Sequence, residues 1–229
     1  MSDYRYAGSE LELFREAVCW RRYLASHIRP FLGRRVVEVG AGLGTTTVSL
    51  WSPAVTRWVC LEPDPVLADV ICRALPSCVV LNGTLADLRE SFDTILYVDV
   101  LEHVEDDAAE LARAAARLEP GGHLIIAAPA WQRLMTPYDR AIGHHRRYDR
   151  HSLDRVMPSG LVSVKSAYLD AAGLLASAGN RYLLQSAMPT RRQILFWDRV
   201  LVRASRVLDP LLRYRVGRSL LEVRRKASG

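Results

Sequence analysis

Val36-Val37-Glu38-Val39-Gly40-Ala41-Gly42-Leu43-Gly44-Thr45 reads as an apolar β-strand that runs straight into a glycine turn. Glycines at alternate positions allow a sharp turn, and they let the backbone approach a ligand that any Cβ would hold off. Glu38 sets a carboxylate inside the strand just ahead of the first glycine. The dinucleotide fingerprint needs Gly-x-Gly-x-x-Gly, and Thr45 occupies the place of its third glycine. A nicotinamide oxidoreductase is disfavoured on that ground.

Working outward, the chain alternates short apolar runs with helical periodicity. Residues 9 to 29 read as a helix, with Ser9 as N-cap and Leu11, Phe14, Val18 and Leu24 along one stripe. Thr45 to Trp51 forms the first crossover helix, stopped near Pro53. Trp58 to Leu61 is a second strand, and Pro65 opens a helix running to about Leu75. Cys78 to Leu81 is a third strand that ends at Asn82-Gly83-Thr84, and Phe92 to Val98 is a fourth. A helix from about Asp106 to Leu118, a turn at Pro120-Gly121-Gly122 and a fifth strand at His123 to Ala128 complete the regular pattern. Residues 131 to 150 then turn rich in aromatic, Arg and His side chains without clear periodicity. A strand at Leu161 to Ala167, an amphipathic stretch from about Thr190 to Leu212 and a last strand at Ser219 to Val223 close the chain.

Strands alternating with helices at this spacing imply βαβ units. The expected fold is therefore α/β: a Rossmann-like, mostly parallel seven-stranded sheet with helices on both faces. An N-terminal helix and a lid insertion after the fifth strand are added to it. With 229 residues, one domain is expected over 1–229. Within it, 1–33 is an N-terminal helical segment and 34–130 the ligand-binding core. Residues 131–160 form the lid, and 161–229 the C-terminal strands and amphipathic helix.

Composition narrows the function classes. The longest apolar run is too short to span a bilayer, and Met-Ser-Asp-Tyr-Arg lacks the apolar core of a signal peptide, so a cytoplasmic location is expected. Cys19, Cys60, Cys72 and Cys78 show neither paired nor metal-type spacing. The net charge of +6 points to nucleic acid or a membrane surface only weakly, because the excess is concentrated in the arginines after Arg191.

Glu38-x-Gly40-x-Gly42-x-Gly44 resembles motif I of the class I S-adenosylmethionine-dependent methyltransferases. Asp99-Val100-Leu101-Glu102-His103 resembles the Asp-x-Leu-Glu-His element of their small-molecule members, and Leu118-Glu119-Pro120-Gly121-Gly122 the turn that follows it. The matches keep the family's order and spacing over roughly residues 36 to 129. The resemblance implies S-adenosylmethionine as cofactor and S-adenosylhomocysteine as product. That cofactor has no pyrophosphate to cradle and carries an α-amino group for Glu38 to meet. Ligands of open α/β sheets bind beyond the carboxyl ends of the strands. Gly40, Gly42 and Gly44 are expected at the methionine end, with Asp99 and Val100 after the fourth strand. Glu62 is expected on the ribose hydroxyls, with Asp64 as an alternative partner or simply a helix N-cap. Gly83, Thr84 and Leu85 are expected at the adenine edge. The family often has an Asp there; Asn82 and Gly83 supply none, and Asp87 is a substitute.

Asp139-Arg140-Ala141-Ile142-Gly143-His144-His145-Arg146-Arg147-Tyr148 resembles the Asp-x-x-x-Gly-His-x-Arg-Arg-Tyr element of a bacterial methyltransferase subgroup. It follows the fifth strand and is expected to fold over the cofactor site. Methyl transfer is an in-line displacement in which the cofactor brings the electrophile. The protein positions, desolvates and, where required, deprotonates the acceptor. Imidazole suits that last task. His144 is the first candidate base, with His103 and His145 behind it, and Tyr148 is expected to orient the acceptor. Asp139, His145, Arg146 and Arg147 are the expected acceptor-binding set, the two arginines holding a carboxylate or phosphate. The competing reading makes Asp139, Arg146 and Arg147 an ion-pair network that fixes a lid, and His103 a loop pin. A metal site built from Asp139, His144 and His145 is not expected, because adjacent histidines lack a further spaced ligand. For the late amphipathic stretch, core packing or a homodimer face comes first. A cover over an apolar acceptor and membrane-surface docking follow.

The sequence thus points to a methyltransferase acting on an oxygen, nitrogen or carbon of a small molecule, of natural-product or sugar type, with histidine-assisted deprotonation. An RNA methyltransferase and a non-catalytic cofactor-binding protein are the alternatives.

Overall fold

The computed structural model describes residues 10–179 and 189–228. Seven strands form one sheet: β1 (Arg35–Val39), β2 (Arg57–Glu62), β3 (Val79–Asn82), β4 (Phe92–Val98), β5 (Leu118–Pro129), β6 (Leu161–Leu169) and β7 (Ser219–Lys226). Their order is β3-β2-β1-β4-β5-β7-β6, with β7 antiparallel to both of its neighbours and the remaining pairs parallel. The order reverses between β1 and β4, so the crevice of the fold opens at their carboxyl ends.

The central strands are buried on both faces, and alternation decides which layer each side chain enters. Val36, Cys60, Leu96 and Ile125 face one layer with Trp20, Leu24, Ile28 and Trp197. Val37, Val59, Ile95 and Leu124 face the other with Leu111, Ala114 and Tyr148. The helices that cover the sheet between β1 and β5 are α3 (Thr45–Leu50), α4 (Pro65–Ala74) and α5 (Asp107–Arg117).

Three local differences from the sequence reading have physical causes. The expected first helix is two, α1 (Glu10–Phe14) and α2 (Val18–Ile28), and Ser9 lies outside the described residues. Ala17 has no capping side chain, so α2 draws its cap from far along the chain. Asp198 accepts from Cys19 N at 3.1 Å and Trp20 N at 2.8 Å. The turn expected at Pro120–Gly122 is absorbed into β5, where the register against β4 shifts between Phe92 and Thr94. Gly122 allows this, since a Cβ there would lie 2.7 Å from the Asp93 carbonyl oxygen.

The lid carries α6 (Pro137–Ala141) and α7 (Arg150–Val156). Beyond β6 comes α8 (Ala171–Gly179), an apolar Ala-Gly helix without the charge pattern that would have announced it. The long amphipathic stretch divides into α9 (Arg191–Phe196), a π-helical turn (Trp197–Leu201) and α10 (Val202–Leu211). Buried Asp209 on α10 accepts from the backbone N–H groups of Asp170 and Ala171 and from the Tyr23 hydroxyl. One carboxylate thereby caps α8 and ties it to α2. Among the described residues, no helix is long and apolar enough to cross a membrane.

Candidate active site

The glycine turn adopts the backbone its composition allows. Gly40, Gly42 and Gly44 have φ of 66°, 57° and 70°, left-handed values that side chains disfavour. A Cβ on Gly40 would stand 2.6 Å from the Val100 side chain, so the loop after β4 packs directly on the turn. A cavity of about 920 Å³ opens here, bordered by Gly40 to Leu43 on one side and by Val98 and Asp99 on the other. Its far walls are apolar: Leu11, Phe14, Trp20 and Leu24 from α1 and α2, and Ile194, Phe196, Trp197 and Leu201 from the late helices.

Two acidic residues expected at the cofactor lie beneath this turn, outside the cavity lining. Glu38 is 2% exposed; its Oε2 accepts from Thr47 Oγ1 and, at 3.2 Å, from Trp58 Nε1. Burial raises its pKa to about 7 against the opposing pull of those two hydrogen bonds. The geometry therefore makes Glu38 a brace between β1, α3 and β2 rather than a partner that reaches an α-amino group. Glu62 accepts from Gly42 N at 2.7 Å and Asp64 N at 3.0 Å, and burial raises its pKa against those bonds. It holds the turn from below, and each of its oxygens keeps a second lone pair for a ribose hydroxyl.

Asp64 takes the helix-cap alternative, accepting from Val66 N and Leu67 N at the start of α4. At the expected adenine edge, Thr84 donates from N and Oγ1 to Asp87 Oδ2, and Leu85 is fully buried. A Cβ on Gly83 would run into that same Asp87 carboxylate. Asp87 is thus engaged in a local cap, while Asn82 Nδ2 donates to the carbonyls of Glu62 and Pro63.

On the acceptor side the lid folds back along β5. Tyr148 N donates to Pro129 O and Trp131 N to Tyr148 O. This pinning divides the expected acceptor residues into two groups. His144 and Arg147 line the cavity with Asp139. His145, Arg146 and Tyr148 do not, and the roles expected of them give way to structural ones. His145 is exposed, with its backbone N–H on Glu102 O. Arg146 pairs with Asp107 at 2.6 Å and donates to Glu105 O. The Tyr148 hydroxyl is buried and donates to Asp107 Oδ2 at 2.7 Å, and its pKa is pushed up by burial and by that bond.

Asp139 organises what remains. A reciprocal cap with Thr136 fixes it at the start of α6, and Arg147 Nη2 donates to both of its oxygens at 2.7 and 2.9 Å. Its Oδ1 stands 3.2 Å from His144 Nδ1, at an angle that falls short of a hydrogen bond, and its backbone carbonyl accepts from His144 N. Burial works to raise the Asp139 pKa, but His144 and Arg147 outweigh it and hold the carboxyl well below the usual range. On its other side His144 presents Nε2 to Glu102 Oε1 at 3.9 Å, and its ring meets His103 edge to face at 4.5 Å.

Glu102 was quoted in the sequence only as part of a motif, and the structure gives it prominence. It is fully buried, lines the cavity, and neither carboxylate oxygen has a hydrogen-bond partner. Desolvation and the nearby Asp99 raise its pKa well above the carboxylate range. Burial lowers His103 to about 4, with His144 adding to the effect. Asp99 is exposed to the cavity with φ of 54°; the protein packed around it raises its pKa while Arg218 and His144 oppose the rise. Arg218 lines the same cavity, stacked 4.2 Å over the Trp197 ring and 3.7 Å from Asp170. The signal for Glu102 was its place one tight turn beyond the strand end. Arg218 belongs to the terminal Gly217-Arg218-Ser219-Leu220 stretch that shares the resemblance to the bacterial subgroup, but its place at the cavity arises only when β7 pairs beside β5.

Comparison with known proteins identifies the family and the fold. A family profile describing a methyltransferase domain matches residues 13–159. An uncharacterized methyltransferase of Mycobacterium tuberculosis is 33% identical over 112 residues, 48% of this chain and 42% of that protein. A demethylmenaquinone methyltransferase of Tropheryma whipplei is 30% identical over 145 residues, 60% of this chain and 57% of that protein. The chain thus spans about half the length of these curated relatives. The N-methyltransferase NodS of Bradyrhizobium japonicum, solved with S-adenosylhomocysteine, superimposes with a TM-score of 0.63 at 14% identity, covering 96% of this chain and 94% of its own. With the family profile spanning more than half its length, the chain belongs to the methyltransferase-domain family and has the Rossmann-like fold of its class I members.

Proposed function

We propose that this protein is an S-adenosylmethionine-dependent methyltransferase acting on a bulky, largely apolar small molecule, with S-adenosylhomocysteine as the second product. The observation that carries the reading is the shared cavity: the glycine turn and the Asp139-backed His144 open into the same apolar-walled space. Glu62 takes the ribose, the turn backbone at Gly40 to Gly42 takes the methionine end, and Asp99 offers a carboxylate to the α-amino group in place of Glu38. The adenine edge falls near Thr84 and Leu85.

In the reaction, the acceptor nucleophile attacks the sulfonium methyl. The new bond to carbon forms as the carbon–sulfur bond breaks, and its electron pair stays on sulfur as a neutral thioether. The proton of a hydroxyl or amine acceptor passes to His144 Nε2, and Asp139 stabilises the imidazolium that results. The likeness to a demethylmenaquinone methyltransferase supports an apolar ring-bearing acceptor.

Calorimetric titration of the purified protein with S-adenosylmethionine and S-adenosylhomocysteine tests the reading. Binding of both in the micromolar range is expected, and a folded sample that binds neither would refute it.

A further inference from the structure

The Glu102 carboxylate is an anomaly for a resting protein. A fully buried acid is ordinarily paired or hydrogen-bonded, and here the residue lines the cavity while neither carboxylate oxygen has a hydrogen-bond partner. Two imidazoles stand beside it, His103 and His144, and one donor atom from each of the three residues lies within 4.8 Å of the other two. Donors about 2.0–2.2 Å from one tetrahedral cation stand about 3.3–3.6 Å apart. The His144 Nε2 to Glu102 Oε1 separation of 3.9 Å lies just beyond that range.

Each imidazole also has a neighbour outside the cluster: Asp139 Oδ1 stands 3.2 Å from His144 Nδ1, and His103 has a hydrogen bond with the Gly143 backbone. Metal-binding histidines characteristically have an outer partner of this kind, which fixes ring orientation and raises ligand basicity. The surrounding charge is mixed. Asp99 and Asp139 favour a cation, while Arg147 and Arg218 oppose one, but Arg147 is engaged by Asp139 and Arg218 stands near Asp170.

We propose that Glu102, His103 and His144 hold a divalent transition-metal cation, with an oxygen of the acceptor as a further ligand. Two imidazoles and one carboxylate are a ligand set that leaves coordination positions open. In the cation-bound protein this replaces proton transfer to His144 Nε2: an acceptor hydroxyl bound to the cation ionises more readily, and its proton leaves through the cavity mouth to solvent because the His144 ring nitrogen is occupied. The acceptor is then an oxygen nucleophile, a phenol or a vicinal diol, rather than an amine. The acceptor half of this proposal rests on the methyl-transfer reading; the cation half does not.

The test is calorimetric titration of the full chain with Zn²⁺, alongside visible spectra with Co²⁺, for wild type, Glu102→Gln and His103→Ala. Folding of each variant is checked by its melting curve and by its S-adenosylhomocysteine affinity. The expected result is one strong Zn²⁺ site, weakened at least about tenfold in each variant, with Co²⁺ ligand-field bands in the wild type alone. A rise in wild-type melting temperature with Zn²⁺ should accompany it. Absence of Zn²⁺ binding, equal binding in the variants, or weakening in only one of them would overturn the site. Cation binding without S-adenosylhomocysteine binding would leave the site standing and remove the methyl-transfer reading. Cofactor binding without cation binding would do the reverse.

Discussion

Glu38→Gln isolates the cost of an ionisable group beneath the glycine turn. The carboxyl is buried, and its pKa moves from 4.5 in the unfolded chain to about 7 in the fold. Because the folded value is the higher one, the native state holds the proton more tightly. The penalty is absent below about pH 4.5 and complete above about pH 7, and stability falls between those limits. At about 1.4 kcal/mol per pKa unit, the shift corresponds to about 3 kcal/mol. Glutamine keeps an oxygen for Thr47 and Trp58 to donate to, and it carries no charge at any pH. The assay is urea denaturation of the ligand-free wild type and variant from about pH 5 to about pH 8, read as the difference between the two proteins so that other titrating groups cancel. Near the acid end the two should agree within about 1 kcal/mol, and at the alkaline end the variant should be the more stable by about 3 kcal/mol. Parallel curves, or a variant that loses stability as pH rises, would refute the claim that Glu38 is a desolvated brace.

Three further outcomes follow from named contacts. Glu62→Ala should weaken S-adenosylhomocysteine binding at least about tenfold, or ~1.4 kcal/mol by calorimetry, and unchanged affinity would reject the ribose assignment. Asp139→Asn removes the charge that backs His144; with an identified acceptor, kcat should drop by about a hundredfold while cofactor affinity holds within about twofold. Gly40→Ala places a Cβ against Val100 at a left-handed φ and should cost about 2 kcal/mol or more in denaturant unfolding, against no change if the turn can relax.

Much of this architecture could be read along the chain, because it rests on interactions between near neighbours. Near-continuous apolar runs in Val36 to Val39 and Phe92 to Val98, glycines where φ turns positive, and Asp64 ahead of Pro65 each specify their own local geometry. The order of the strands, by contrast, came only from the structure. The helix break after Phe14 and the cap on α2 were hidden, because the capping carboxylate, Asp198, comes from the opposite end of the chain.

The candidate site divides along the same line. Motif spacing brings the glycine turn and His144 to one cavity, with Glu62 beneath the turn, but spacing carries no information about which way a side chain faces. Arg146 and Arg147 are adjacent, yet one pairs with Asp107 outside the cavity and the other with Asp139 inside it. That difference arises only when Tyr148 locks the lid against β5. The meeting of Glu102, His103 and His144 likewise joins a strand-end turn to a lid some forty residues on. Local propensity determined the elements and the turn. Burial, imposed by long-range packing, decided which charged groups serve the fold and which face the cavity.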